Sequence, residues 1–283
     1  MEEDSTLEMR IQREIMSFSG IMGIYASDLK GNVIRINAGE IYETASTIKS
    51  FILADLYRQV REGKKSLEEK LIYDTKNKIN GSGILSALEA GVELTARNMA
   101  ILMIIVSDNI ASNILIDYLG LEHINETIHL LGLKNTRLHR KLGLEGWDKL
   151  GSTTPEDYGR FFELLAQGRV VSPESSADML EIFKKQHYNS TLTYFFPVYY
   201  LDEDNYGDEK PDIYVASKSG SMNACRNDGG IVGTPYGQYV ITILTKGFAD
   251  KQYHKEHEST IYGARVSRLL FDQYMALEGR FHL

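Results

Sequence analysis

The chain has 283 residues, with 31 Lys+Arg against 39 Asp+Glu and a formal net charge of −8. With 43% hydrophobic and 25% charged residues it has the make-up of a globular protein, and an acidic chain without a basic cluster offers little to nucleic acid or to an anionic membrane surface. A single cysteine, Cys225, excludes an intramolecular disulfide and a cysteine-based zinc site.

Leu7, Met9, Ile11, Ile15 and Met16 are interspersed with charge and predict an amphipathic helix ending near Gly20. The start Met1-Glu2-Glu3-Asp4 lacks the positive charge and the apolar stretch of about 7–15 residues that mark a secretory signal. The longest apolar run, Met99 to Val106, is far short of the ~20 residues of a membrane span. A cytoplasmic chain is therefore expected. Ile21 to Tyr25 and Val33 to Ile36 read as two strands joined at Lys30-Gly31-Asn32. From Ser46 to Glu62, Ile48, Phe51, Ile52, Leu56 and Val60 fall at helical spacing, and Gly63 closes the run. Asn80-Gly81-Ser82-Gly83 is a loop. Thr95 caps an apolar helix through Val106; further helices are expected from Asn109 to Leu119 and from Leu121 to Leu131.

Leu138 to Thr153 has no periodicity and reads as one long loop. Thr154-Pro155 and Ser172-Pro173 are cap-plus-proline helix starts. Strands follow from Ile213 to Ser217, Gly230 to Val232 and Tyr239 to Leu244, the last two flanking a Thr234-Pro235-Tyr236-Gly237 turn. A helix from about Glu258 to Leu277 closes the chain. Strands near both ends with helices between them predict an α+β chain whose one sheet is assembled from both termini.

Three short motifs carry chemistry. Ser46-Thr47-Ile48-Lys49 is S-x-x-K at a helix start, a spacing that puts hydroxyl and amine on one face. A serine hydroxyl needs a base to become a nucleophile, and a lysine serves only when burial or a nearby cation lowers its pKa. A second S-x-x-K, Ser27-Asp28-Leu29-Lys30, falls in the hairpin turn and reads as chance. Ser107-Asp108-Asn109 lies between two helices, where Ser107 or Asp108 could equally be a helix cap. Lys218-Ser219-Gly220 ends a strand, where glycine allows close approach of a substrate but a plain strand-end turn also fits.

Together and in this order, S-x-x-K, S-D-N and K-S-G resemble the penicillin-recognising serine enzymes, and the class A β-lactamase family in particular. The similarity extends through Leu94 to Arg97, Ile110 to Asn113, Leu131 to Leu138 and Thr153-Thr154-Pro155. It implies a β-lactamase/transpeptidase-like fold: one domain over 1–283, with a mixed subdomain from about 1–45 and 205–283 and an all-helical one from about 46–204. It also implies that Ser46 is the acylated nucleophile and Lys49 its base. Ser107 would pass a proton to the leaving nitrogen, and Asn109 would hold Lys49 and the substrate amide. Lys218 would supply positive potential and Ser219 bind a substrate carboxylate. Gly220 would let the strand close in, and the N–H groups of Ser46 and Ser221 would form an oxyanion hole, typically worth ~3–4 kcal/mol per donor. Arg226 is either a carboxylate-binding arginine or a solvated loop residue.

The resemblance fails in the loop. Where the family carries a glutamate that activates the deacylating water, this chain has Leu142; the nearest carboxylates are Glu145 and Asp148, either displaced bases or solvated side chains. The expected activity is therefore a serine hydrolase acting on a β-lactam or related amide. The alternatives are a penicillin-binding, DD-peptidase-like or esterase enzyme with slow deacylation, and a non-catalytic binding protein on the same scaffold. No metal or organic cofactor is implied. The substrate would be a small or peptide-like molecule with a carboxylate. The aromatic stretch Tyr194 to Tyr200 reads as core packing ahead of a substrate wall.

Overall fold

In the computed structural model, which describes residues 6–143, 149–188, 191–201 and 213–279, the chain begins with α1 (Leu7–Ile15), capped by the Thr6 side chain. The expected hairpin follows as β1 (Ile21–Ser27) and β2 (Val33–Ile36). Asp28 accepts from the backbone N–H groups of Lys30 and Asn32, and Ser27 Oγ accepts from Leu29 N–H. The second S-x-x-K therefore has its serine and its intervening aspartate occupied in a turn.

β3 (Tyr42–Glu43) leads into a 3₁₀ turn over Ala45–Ile48 and then α2 (Lys49–Arg61). The single helix expected from Ser46 is thus two pieces. Ala45 has φ +46°, a left-handed conformation that a β-carbon disfavours, so the chain enters α2 through a tightened turn that carries Ser46. β4 (Lys70–Ile72) and β5 (Glu93–Thr95) form a small ribbon. α3 (Ala96–Ile105) and α4 (Asn109–Leu119) have Thr95 and Asp108 as caps, and α5 (Leu121–Leu130) follows.

The segment read as one long loop is closed at its base. β6 (Arg137–Leu138) pairs with β7 (Gly151–Thr153), and β7 pairs with β3. Strands of two and three residues are too short to show a period. Thr154 and Ser172 cap α6 (Pro155–Ala166) and α7 (Pro173–Lys184), as their prolines predict.

The tail supplies β8 (Tyr214–Ser217), β9 (Gly220–Met222), β10 (Cys225–Thr234), β11 (Gly237–Lys246) and α8 (Glu258–Gly279). The antiparallel sheet runs β2-β1-β11-β10-β8, with β9 also paired to β10. It joins the two ends of the chain, as expected. β10 and β11 are each ten residues, longer than the apolar runs that mark them. β10 is buried along its whole length, Arg226, Asn227 and Asp228 included, so polarity hides the first half of the strand.

One sheet face packs on the terminal helices through Ile11, Ile24, Ile241, Val266 and Phe271. The other packs on α6 and the helical region, where Phe51, Phe161, Phe162 and Phe183 form edge-to-face contacts with centroids 5.1–6.2 Å apart. Phe196, from the aromatic stretch, packs on Phe271 with centroids 4.2 Å apart and joins the first of these cores. No helix among the described residues is long and apolar enough to cross a membrane.

Candidate active site

Three elements converge on one cleft of about 720 Å³: the 3₁₀ turn before α2, the turn between α3 and α4, and the β8–β9 edge. Ser46, Ser107, Asn109, Ser219, Gly220 and Ser221 all line it. Six residues scattered from position 46 to 221 are thus brought to one surface.

The close fit begins at Gly220. A β-carbon there would lie 2.6 Å from Ser46 N and 2.7 Å from Thr47 N, so only glycine lets β9 sit against the nucleophile turn. Asn227, on β10, ties the same turn down from below, donating to Glu43 O at 2.7 Å and Thr44 O at 3.3 Å. Glu43 Oε1 accepts from the N–H groups of Ala45, Leu150 and Gly151, which joins the nucleophile turn to the end of the loop; burial raises its pKa against those donors.

Asp108 works as the alternative reading of S-D-N allowed. Its carboxylate caps α4 through Ala111 N–H and also accepts from Ile84 and Leu85 N–H. That frees Ser107 and Asn109, on either side, to face the cleft. Ser107 has φ +53°, a strained conformation for a serine, held by Lys49 at its carbonyl.

Lys49 is fully buried and donates to Ser107 O at 2.7 Å, Asn109 Oδ1 at 2.8 Å and Ser107 Oγ at 3.0 Å. Lys218, also fully buried, donates to Ser219 O at 2.7 Å and Ser107 Oγ at 3.2 Å. Two lysine amines thus occupy both acceptor sites of the Ser107 hydroxyl, leaving its own proton to point elsewhere. No hydrogen bond joins Ser46 Oγ to Lys49 among the described residues: helical spacing places the pair on one side, but Ser107 and Asn109 hold the amine.

Burial, and then the charge of Lys218, depress the Lys49 pKa well below its ordinary value, against the attraction of Asp108. Burial lowers Lys218 to about 7, against the attraction of Asp228. Asp228 is itself raised to about 7 by burial, although Leu192 and Gly229 N–H donate to it.

Among the remaining site residues, Arg226 is placed away from the substrate space. Arg226 does not line the cleft. Its guanidinium donates to Met222 O, Cys225 O and Gln252 O and stacks on the ring of Tyr253. It is thus neither a solvated loop residue nor a side chain on the cleft wall. Leu142 does face the cleft, its backbone gripped on both sides by Asn113: Asn113 Nδ2 donates to Leu142 O at 2.7 Å, and Leu142 N–H donates to Asn113 Oδ1 at 2.9 Å. Glu145 and Asp148 lie outside the described residues. Among the described residues no carboxylate lines the cleft.

Sequence reading missed several wall residues. Asn80 and Ser82 line the cleft and bond Asn109 through their carbonyls; the Asn80–Gly83 composition marked a loop but not its neighbour. Tyr188 and Tyr253 give no local signal at all. Gln186, buried behind Ser219, binds Ser217 Oγ and Tyr188 N–H and accepts a long hydrogen bond from Ser219 Oγ. Among the described residues, the aromatic stretch Tyr194 to Tyr200 contributes no wall residue.

Comparison with known proteins bears on the family and the fold. The profile of the Beta-lactamase enzyme family matches residues 6–274. β-Lactamase SME-1 of Serratia marcescens is 26% identical over 168 residues, 56% of each chain, so the match spans a little over half that relative's length. A β-lactamase from Sphaerobacter thermophilus DSM 20745 superposes with TM-score 0.85 at 28% identity, over 97% of this chain and 98% of that one. PBP-A superposes with TM-score 0.80 at 26% identity, over 98% and 97%. A leucine-to-glutamate mutant of PBP-A, solved as an acyl-enzyme with penicillin G, gives TM-score 0.80 at 25% identity, over 96% of both chains. The α+β fold is the β-lactamase/transpeptidase-like one.

Proposed function

The chain belongs to the class A β-lactamase family of serine hydrolases, and we propose that it acylates readily at Ser46 and releases the acyl group slowly, as a penicillin-binding or DD-peptidase-like enzyme. The observation that carries this reading is a cleft lined by Ser46, Ser107, Asn109 and Ser219, with Lys49 and Lys218 buried behind Ser107, and by Leu142 where the resemblance puts a deacylating carboxylate.

In the proposed reaction Ser46 Oγ attacks the carbonyl of a β-lactam or related amide. Neutral Lys49, the form that burial and the charge of Lys218 favour, takes the hydroxyl proton. The Oγ–C bond forms, and the oxyanion sits against the N–H groups of Ser46 and Ser221. The C–N bond then breaks, and the nitrogen takes the outward-pointing Ser107 proton, which Lys49 or Lys218 replaces through the hydrogen bonds already in place. Asn109 holds Lys49; Lys218 and Ser219 attract a substrate carboxylate. The contact between Ser46 and Lys49 forms in the substrate complex, as catalytic hydrogen bonds often do. The described chain acts as one unit, because the nucleophile turn and the K-S-G strand pack directly against each other although they come from distant parts of the sequence.

The ester then awaits water. Leu142 can neither accept a proton from water nor orient it, so hydrolysis is expected to lag acylation. Time-resolved intact-protein mass spectrometry with penicillin G tests this. A Ser46 adduct that persists is expected. Rapid steady-state nitrocefin hydrolysis would overturn slow release and point to Glu145 or Asp148 as a working base. No adduct would leave the scaffold as a non-catalytic binder.

A further inference from the structure

Arg226 and Tyr253 form an unusual unit at the cleft edge. The guanidinium lies between two rings, 4.1 Å from the Tyr253 centroid and 5.8 Å from that of Phe248. Phe248 is buried, whereas Tyr253 is 62% exposed, so the tyrosine is the solvent-side cover. Tyr253 lines the cleft and Arg226 does not. The arginine is further drawn inward by three backbone carbonyls, of Met222, Cys225 and Gln252. The segment bearing Tyr253 is itself braced: Asp250 accepts from Gln252 N–H at 2.9 Å and pairs with His254 at 2.6 Å, and its carbonyl meets His257 Nε2 at 3.1 Å.

We propose that Tyr253 is a specificity-determining residue, its ring covering the cleft side of the Arg226 guanidinium and keeping that cation from the substrate. Arg226 then takes no part in carboxylate recognition, which is left to Ser219, to Lys218 buried behind it and to Arg140 on the cleft wall. The cleft favours substrates whose carboxylate side carries an apolar group, which meets Tyr253 and Met222 rather than a bare cation. This inference rests on the acyl-enzyme reading of the cleft.

The test compares second-order rates of Ser46 acylation by penicillin G and by its methyl ester, read by intact-protein mass spectrometry. Tyr253→Ala is expected to raise the acid-to-ester ratio about tenfold, the scale of one added charge-assisted hydrogen bond. Tyr253→Phe keeps the ring and should leave the ratio as it is. An unchanged or lowered ratio in Tyr253→Ala overturns the proposal. A second measurement does not depend on acylation: phenylglyoxal labelling of Arg226, followed by peptide mapping. Labelling should be slow in the wild-type chain and at least about tenfold faster in Tyr253→Ala, as expected for removal of a covering ring. Equal labelling rates sink the proposal. Absence of acylation by either probe counts against the acyl-enzyme reading, and the labelling result then decides the role of Tyr253.

Discussion

Ser107 and Leu142 face the same cleft but are held by opposite means. Around Ser107 the protein concentrates charge: two buried lysines donate to one hydroxyl, and the turn is anchored by Asp108 at the start of α4. Around Leu142 the contact is neutral, a pair of amide hydrogen bonds from Asn113 to the backbone, with an aliphatic side chain facing the space. The first wall can move protons. Among the described residues, the second offers no carboxylate and can only position a substrate or exclude water. That difference is the physical basis for expecting fast formation and slow loss of an acyl-enzyme.

The largest expected effect lies on the charged wall. Ser46→Ala should lower acylation by roughly 10⁴-fold or more, as removal of a catalytic serine does elsewhere; a mass adduct that survives the substitution would relocate the nucleophile. Next comes the neutral wall. Leu142→Glu places a carboxylate in the cleft, and a positioned general base contributes ~10²–10⁴-fold. Single-turnover release of the penicillin G adduct should accelerate by about 10²-fold or more on that scale. Release at the wild-type rate would mean that something other than the missing base limits it.

A smaller effect concerns pH. Lys218 is lowered to about 7, so its charge is present below that pH and lost above it. The ratio of acid to methyl-ester acylation should therefore fall, by about tenfold at most for one charge-assisted contact, as pH rises through about 7. Lys218→Ala should abolish this dependence. The same shifts act on stability. Between about 7 and the ordinary 10.5 the unfolded chain holds more protons at Lys218, so its contribution rises with pH there. Between 3.8 and about 7 the folded chain holds more protons at Asp228, so that contribution falls as pH rises. Thermal melts of Asp228→Asn should lose the acid-side slope. The smallest effect on chemistry is expected from Asn113→Ala, which unpairs the Leu142 backbone at a cost of about 1–3 kcal/mol. Thermal denaturation should show the loss, with acylation changed only a few-fold.

The two walls also differ in how far their parts could be read in advance. S-x-x-K, S-D-N and K-S-G each combine a chemical residue with a local position, at a helix start, an interhelical turn or a strand end, and all of these lie beside the cleft. Leu142 could be read as a missing glutamate only through the resemblance, because the sequence itself shows a leucine and not what the family has there. By contrast, Arg226 could not be placed from its neighbours in sequence. Whether it meets substrate depends on Tyr253, twenty-seven positions later, and on carbonyl groups that exist as acceptors only once β9 and β10 pair. Glu43, between the nucleophile turn and the loop end, was invisible for the same reason.

Local periodicity and caps determined most helices, the hairpin and the sheet's origin in both chain ends, because burial of one face per element is written at spacings of two and 3.6 residues. They did not determine where the 3₁₀ turn ends and α2 begins, nor the length of β10, whose polar half is buried. Tertiary structure alone decided the partners of Lys49, the covering of Arg226 and the double acceptance at Ser107. Those depend on which groups share a desolvated space, and desolvation belongs to the packed chain rather than to any stretch of its sequence.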